Sequence, residues 1–276
     1  MNDKSGFLLA FIFLCSMYVE HKGARIFYEV EGTGNALVLL HGFLENSTMW
    51  KSLIPSLSKR NKVISIDLLG HGKSDCLGYV HSMELFSETI EAVLKHLKIR
   101  KCTLIGHSLG GYVALAFVDK NPAKVKGLCL LNSTSNEDSE ERKDIRTRAN
   151  KMVQTNFESM VKLSISNLFY QENITLFTSE IEILKKEALT TSLQGYMAAQ
   201  EGMKIRPNRN HVLTNAHFKK LLIIGEKDPV LDAKISIEEA QNTNTNFVVL
   251  SGGHMSYVEN SAELMDVLKT FLTQKG

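Results

Sequence analysis

The chain has 276 residues, is 43% hydrophobic and 22% charged, and carries 18 glycines against 4 prolines. That composition excludes a disordered, collagen-like or low-complexity protein, and the length can bury a full core. A formal net charge of +2 removes the electrostatic case for nucleic acid or an anionic membrane as partner, and four scattered cysteines without a CxxC make no disulfide framework.

Residues 1–20 form a hydrophobic leader of unusual character. The run from Phe7 to Val19 is almost wholly apolar but shorter than the roughly 20 residues a membrane span needs. Behind Lys4 it suits a signal-peptide core, yet Asp3 is acidic and no small-residue cleavage site follows; the other reading is a start extended ahead of Met17. A cytoplasmic protein without a stable membrane span is expected, with export or membrane anchoring the alternative if the segment is a genuine signal. From Val19 the pattern is that of a hairpin, Val19 to His21 and Arg25 to Val30 around Lys22-Gly23, and Gly32-Thr33-Gly34 reads as a hairpin turn.

Six short apolar runs follow: Ala36 to Leu40, Val63 to Ile66, Cys102 to Ile105, Leu128 to Leu131, Leu221 to Ile224 and Phe247 to Leu250. Continuous apolar strands are buried on both faces, as in a parallel sheet. Amphipathic stretches at Met49 to Leu57, Ser82 to Leu97, Leu109 to Asp119 and Ala262 to Leu272 predict helices between and after them. The alternation predicts an α/β fold, a mostly parallel central sheet flanked by helices. It breaks from Ser133 to about Ala216, where the chain turns helical and polar. The expected organisation is a core in two parts, 21–132 and 216–276, with residues 133–215 inserted as a helical lid. The charge run from Asn136 to Lys151 reads as a solvated helix face.

The chemistry gathers at the ends of these strands. Gly106-His107-Ser108-Leu109-Gly110 matches G-x-S-x-G, directly after a strand and directly before a helix, the setting of a nucleophile elbow. A serine hydroxyl needs a base, and His254 follows the last strand in a glycine-rich loop, Ser251-Gly252-Gly253-His254. The base needs a carboxylate, and Asp228 follows the strand before it. Glu226 is the rival acid; the loop after Leu131 offers only Asn132, Ser133 and Thr134; Asp67 reads as a loop brace. Two backbone donors are needed for an oxyanion: the N–H of Leu109 and, from the loop His41-Gly42-Phe43, that of Phe43. Phe43 and Trp50 are candidate substrate-binding residues, with core packing the equal reading for Trp50. His41, His71 and His107 read as loop-organising or packing residues. The sequence offers no metal or nucleotide motif, so no cofactor is expected.

These motifs, together with Asp67-Leu68-Leu69-Gly70-His71-Gly72-Lys73-Ser74, resemble the α/β-hydrolase superfamily over about residues 20 to 276, nearest to its lidded esterase, C–C hydrolase and menaquinone-pathway branch. The resemblance implies Ser108 as nucleophile, Asp228 as acid, His254 as base, Phe43 and Leu109 as oxyanion hole, and a helical cap at about 133 to 215. The expected activity is hydrolysis of small-molecule carboxylic esters with small to medium acyl groups. A thioesterase, a C–C bond hydrolase or a lyase on the same triad is the alternative, and a non-catalytic ligand-binding scaffold is the alternative of another class.

Overall fold

The computed structural model describes residues 15–274. Most of the apolar leader, with its signal and start-site readings, lies outside the described residues. Eight strands form one sheet: β1 (Cys15–His21), β2 (Ala24–Glu31), β3 (Asn35–Leu40), β4 (Asn61–Ile66), β5 (Cys102–His107), β6 (Val125–Leu131), β7 (Lys219–Gly225) and β8 (Asn246–Leu250). Their spatial order is β1-β2-β4-β3-β5-β6-β7-β8. The β1–β2 hairpin is antiparallel and joins β4 antiparallel, while the pairs from β4 through β8 are parallel. The described residues thus open in strand β1, with residues 15–20 paired to β2.

Strand pleating divides the apolar runs between two half-cores. Val38, Leu40, Leu104, Leu128 and Leu130 pack on one side with α2 (Met83–His96) and α3 (Leu109–Lys120). Leu37, Leu39, Ile105, Cys129 and Leu131 face the other side, where the short α1 (Ile54–Leu57) and the last helix lie. Between β6 and β7 run α4 (Glu140–Met152), α5 (Phe157–Ser166), α6 (Thr178–Ala188), α7 (Leu193–Lys204) and α8 (Asn210–Thr214). Then come α9 (Ala233–Asn242), α10 (Ser256–Glu259) and α11 (Ser261–Thr273). The insertion is tied to the core by backbone and side-chain bonds: His254 N–H donates to Leu168 O, and the Glu259 carboxylate accepts from Tyr170 N–H and the Asn173 amide.

Four expectations change. Gly32-Thr33-Gly34 is no hairpin turn, because β2 pairs with β4 and not with β3. It is a tight crossing in which Gly32 and Gly34 both take positive φ, against the backbone of Ser58 to Asn61. The single helix expected over Met49 to Leu57 is split into a 3-10 turn, Ser47–Trp50, and α1, which restarts around Pro55. A proline lacks the N–H to continue a helix but fits its first turn. Strand β8 is an edge, so Phe247 and Val249 of its apolar run are exposed rather than buried on both faces. Trp50 is fully buried in the core among Leu37, Leu39 and Leu53, and does not line the cavity described below; burying its large ring in the core uses its apolar area fully. Among the described residues, no helix is long and apolar enough to cross a membrane.

Candidate active site

Parallel strands end at one edge of the sheet, and the loops that leave that edge carry the polar groups singled out above. After β5 the chain reverses sharply at Ser108, whose φ of 48° and ψ of −115° lie outside the comfortable regions for a residue with a side chain. The strain is held on all sides. Ser108 N–H donates to Leu131 O at 3.0 Å, while Ser108 O accepts from Gly111 N–H at 2.9 Å and from the Ser133 hydroxyl at 2.7 Å. A Cβ at Gly106 would overlap the Gly110 carbonyl, and one at Gly110 would overlap Leu40 O. Both glycines are therefore steric requirements of the turn.

His254, on the loop after β8, is buried, and its Nδ1 lies 2.7 Å from Asp228 Oδ2. The Asp228 carboxylate also accepts from the N–H groups of Val230 (2.7 Å) and Leu231 (3.0 Å) and from the Asn132 amide (3.1 Å). Burial alone would raise this carboxyl; attraction to His254 and these hydrogen bonds hold it below the ordinary carboxylate range. An ionised Asp228 fixes the proton of a neutral His254 on Nδ1, which leaves Nε2 as the basic nitrogen. Ser108 and His254 line one cavity of about 310 Å³. Asn132 was legible only as the lack of a carboxylate after β6. Its amide bridges Asp228 and Gly253 O, both at 3.1 Å.

The rival acids lie elsewhere. Glu226 is exposed and faces Lys227. Asp67 accepts from Ser47 N–H and Lys73 N–H and braces two loops. Of the proposed oxyanion donors, Leu109 N–H opens helix α3 and Phe43 N–H follows β3. Among the described residues neither has a protein acceptor, and the Phe43 side chain lines the same cavity.

A second buried pair sits behind the first and was missed in the sequence. His107 Nδ1 is 2.7 Å from Glu45 Oε2, and His107 Nε2 is 3.0 Å from the His254 carbonyl. A carbonyl only accepts, so Nε2 carries a proton. Glu45 also accepts from Gly42 N–H (2.6 Å) and from the Tyr257 hydroxyl (3.0 Å), which marks it as the carboxylate form. Both His107 nitrogens thus face acceptors, an arrangement that favours the protonated ring. Burial alone would lower its pKa, but Glu45 holds it above the ordinary histidine value, and His107 in turn draws Glu45 below its own. The two imidazole rings stand 5.2 Å apart, centroid to centroid. His41, by contrast, organises its loop as a neutral ring, accepting Leu68 N–H at Nε2 and donating from Nδ1 to Gly42 O, and burial drives His71 down to about 3.

The insertion closes the cavity with Arg142, Ile145, Arg146, Ser164, Leu168 and Gln200 among others. The charged stretch of α4 is therefore not solvated all round. A roomier groove between β8 and α11 holds no histidine, cysteine or serine. Among the described residues no three His, Cys, Asp or Glu side chains gather as metal ligands.

Comparison with known proteins places the fold. The alpha/beta hydrolase fold family model matches residues 35–261. A pimeloyl-[acyl-carrier protein] methyl ester esterase of Wigglesworthia glossinidia brevipalpis is 28% identical over 89% of this chain and 97% of its own length. An uncharacterized protein of Mycobacterium tuberculosis is 38% identical, but only over 40% of this chain, and the match spans about a third (33%) of that relative's length. Among solved structures, a thermophilic esterase from Thermogutta terrifontis, with malate bound, superimposes with a TM-score of 0.87 at 27% identity over 94% of this chain and 98% of its own. With most of its length matched by the family model and its sheet, elbow and strand-end loops arranged as described, the chain belongs to the α/β-hydrolase fold family.

Proposed function

We propose that the protein is a serine hydrolase that cleaves carboxylic esters of small to medium acyl groups. The observation that carries this reading is the meeting, at one cavity, of a strained serine on an elbow and a histidine oriented by a buried carboxylate. In the proposed cycle His254 Nε2 removes the Ser108 proton as Oγ attacks the ester carbonyl. The N–H groups of Phe43 and Leu109 receive the oxyanion, and the imidazolium that forms is stabilised by Asp228. The alcohol leaves with the proton from His254, and water then releases the acyl group by the same steps in reverse order. The esterase names of the two relatives that match over nearly their whole length support an ester over another acyl bond. The modest cavity supports a compact substrate.

The test is a chain-length panel of esters, thioesters and vinylogous diketones with Ser108→Ala as control. Ester turnover that falls by about 10⁴–10⁶ in the variant, with fluorophosphonate labelling of Ser108 in the wild type, is the expected result. Unchanged turnover in the variant would refute the assignment of the nucleophile. Preference for the thioester or the diketone would reassign the bond. Failure of the folded protein to label would favour a binding scaffold.

A further inference from the structure

We infer that the cavity takes an ester that also carries a carboxylate, with Arg142 and Arg146 as the groups that read it. The inference rests on the esterase reading for the bond that is cut, but the anion site stands on its own observations.

Arg142 and Arg146 lie one turn apart on α4, so they share a helix face, and both line the cavity that holds Ser108. Arg146 is nearly buried. Its Nε bonds Asp138 at 2.5 Å and its Nη1 bonds the Gln200 carbonyl oxygen at 2.8 Å. Asp138, however, is shared. Arg206, also buried, approaches the same carboxylate at 2.6 Å and stacks 4.0 Å over the ring of Tyr112, another cavity wall. Two guanidinium groups thus lean on one carboxylate. Arg142 adds a third, and among the described residues it has no carboxylate within ion-pair reach.

The rest of the lining does not balance this surplus. Its one carboxylate, Glu45, is paired with His107, while Asp228 lies outside the lining and is held by hydrogen bonds from Val230, Leu231, Asn132 and His254. The insertion side of the cavity therefore carries uncompensated positive charge in a partly desolvated place, which is costly unless an anion arrives. Guanidinium groups suit the planar, two-oxygen geometry of a carboxylate. Ser108 and the oxyanion donors occupy the sheet side. A substrate with a carboxylate at one end and an ester at the other, such as the half-ester of a dicarboxylic acid, satisfies both sides at once.

The experiment compares monomethyl succinate, glutarate and adipate with their dimethyl esters. At least one monomethyl ester is expected to exceed its neutral counterpart in kcat/KM by about tenfold or more, as a charge-assisted contact predicts. Arg142→Met should collapse that ratio toward one, mainly through KM, and Arg142→Lys should keep part of it. Neutral esters that are cleaved as well or better throughout, or an Arg142→Met variant that keeps the ratio, would overturn the inference. A second measurement needs no turnover: thermal stabilisation of the Ser108→Ala protein by the free diacids, repeated with Arg142→Met added. Diacid binding that depends on Arg142 while no ester is cleaved would uphold the anion site and sink the esterase reading. Ester cleavage with neither charge preference nor diacid binding would do the reverse.

Discussion

Two histidine–carboxylate pairs lie side by side at the end of the sheet, and their chemistry differs because of what meets the second ring nitrogen. Both pairs close at 2.7 Å and both are buried, with the His254 and His107 side chains each 1% exposed. In His254–Asp228 the carboxylate takes one nitrogen and the other is left at the cavity that holds Ser108. In His107–Glu45 the second nitrogen is spent on the His254 carbonyl, which can accept but not donate. The first ring has a nitrogen free to take a proton; the second has both nitrogens committed and holds the backbone of the first. Burial and a short ion pair are common to both; what separates them is the uncommitted nitrogen at the cavity, which the proposed function uses as its base.

The largest break in this comparison is His254→Ala. Loss of the base should cost about 10⁴–10⁶ in kcat, while the fold is retained, because Asp228 keeps its bonds from Val230, Leu231 and Asn132 and the loop keeps its backbone bond to Leu168 O. Ester kinetics paired with urea unfolding would check this. Comparable turnover in His254→Ala and wild type would remove the distinction between the pairs.

Glu45→Ala should give the opposite pattern. It deletes the acceptor for His107, Gly42 N–H and the Tyr257 hydroxyl together. Breaking a buried pair of this kind costs about 3–5 kcal/mol of stability. The protein that still folds should keep far more activity than His254→Ala, although the loop bearing Phe43 N–H loses a brace. Unfolding curves that match the wild type would show that Glu45 contributes little.

The same pair has a pH signature of smaller size. The folded-state pKa of His107 is raised, since Glu45 outweighs the burial that would lower it. The folded protein then holds this proton to higher pH than the unfolded chain, whose histidines titrate near about 6.5. Its contribution is complete below that value and is lost as pH rises through the folded pKa, with a slope of at most about 1.4 kcal/mol per pH unit. Asp228 and Glu45 are depressed, so their contributions are present above the ordinary carboxylate range and vanish as pH falls through their folded values. Urea unfolding followed upward from about pH 6.5 should show the decline in wild type and a flatter line in Glu45→Gln. Parallel lines would assign the decline to other groups.

Much of this was legible before any coordinates. Runs such as ALVLL and LLII are apolar on both faces because helices cover both sides of the inner sheet, and the elbow announces itself because Gly106 and Gly110 are forced by steric contact. Asp228 and His254 are readable because each follows a strand whose end lies at the same edge. The illegible parts depend on partners far apart in the chain. Glu45 and His107 are 62 positions apart and neither sits in a pattern that names the other. The spacing of Arg142 and Arg146 shows that they share a helix face, but only packing against α7 and the core decides that this face meets the cavity. Trp50 illustrates the converse: an aromatic near a site loop is as easily core, and here it is. The crossing at Gly32 to Gly34 looks like a hairpin locally, and only the strand order shows that β4 separates its two ends.

Asn132 offers the finest test of what orients the first pair. It sits at a positive φ of 45°, is anchored by its N–H to Ile223 O at 2.8 Å, and its amide reaches Asp228 and Gly253 O together. Asn132→Ala removes one of several donors to the Asp228 carboxylate, and Val230 and Leu231 still hold it. The expected loss is about five- to tenfold in kcat/KM, far below that of His254→Ala, because one hydrogen bond to a charged acceptor is at stake. A merely structural role would lower activity evenly across pH. A positioning role predicts more: Asn132→Asp would set a second carboxyl beside Asp228, and like charge at that distance raises a carboxyl pKa. The acid limb of its pH–rate profile should move upward relative to wild type, while Asn132→Ala leaves the limb nearer its original place. An Asn132→Asp profile that overlies the wild type would mean that the group at this position does not act on the His254–Asp228 pair.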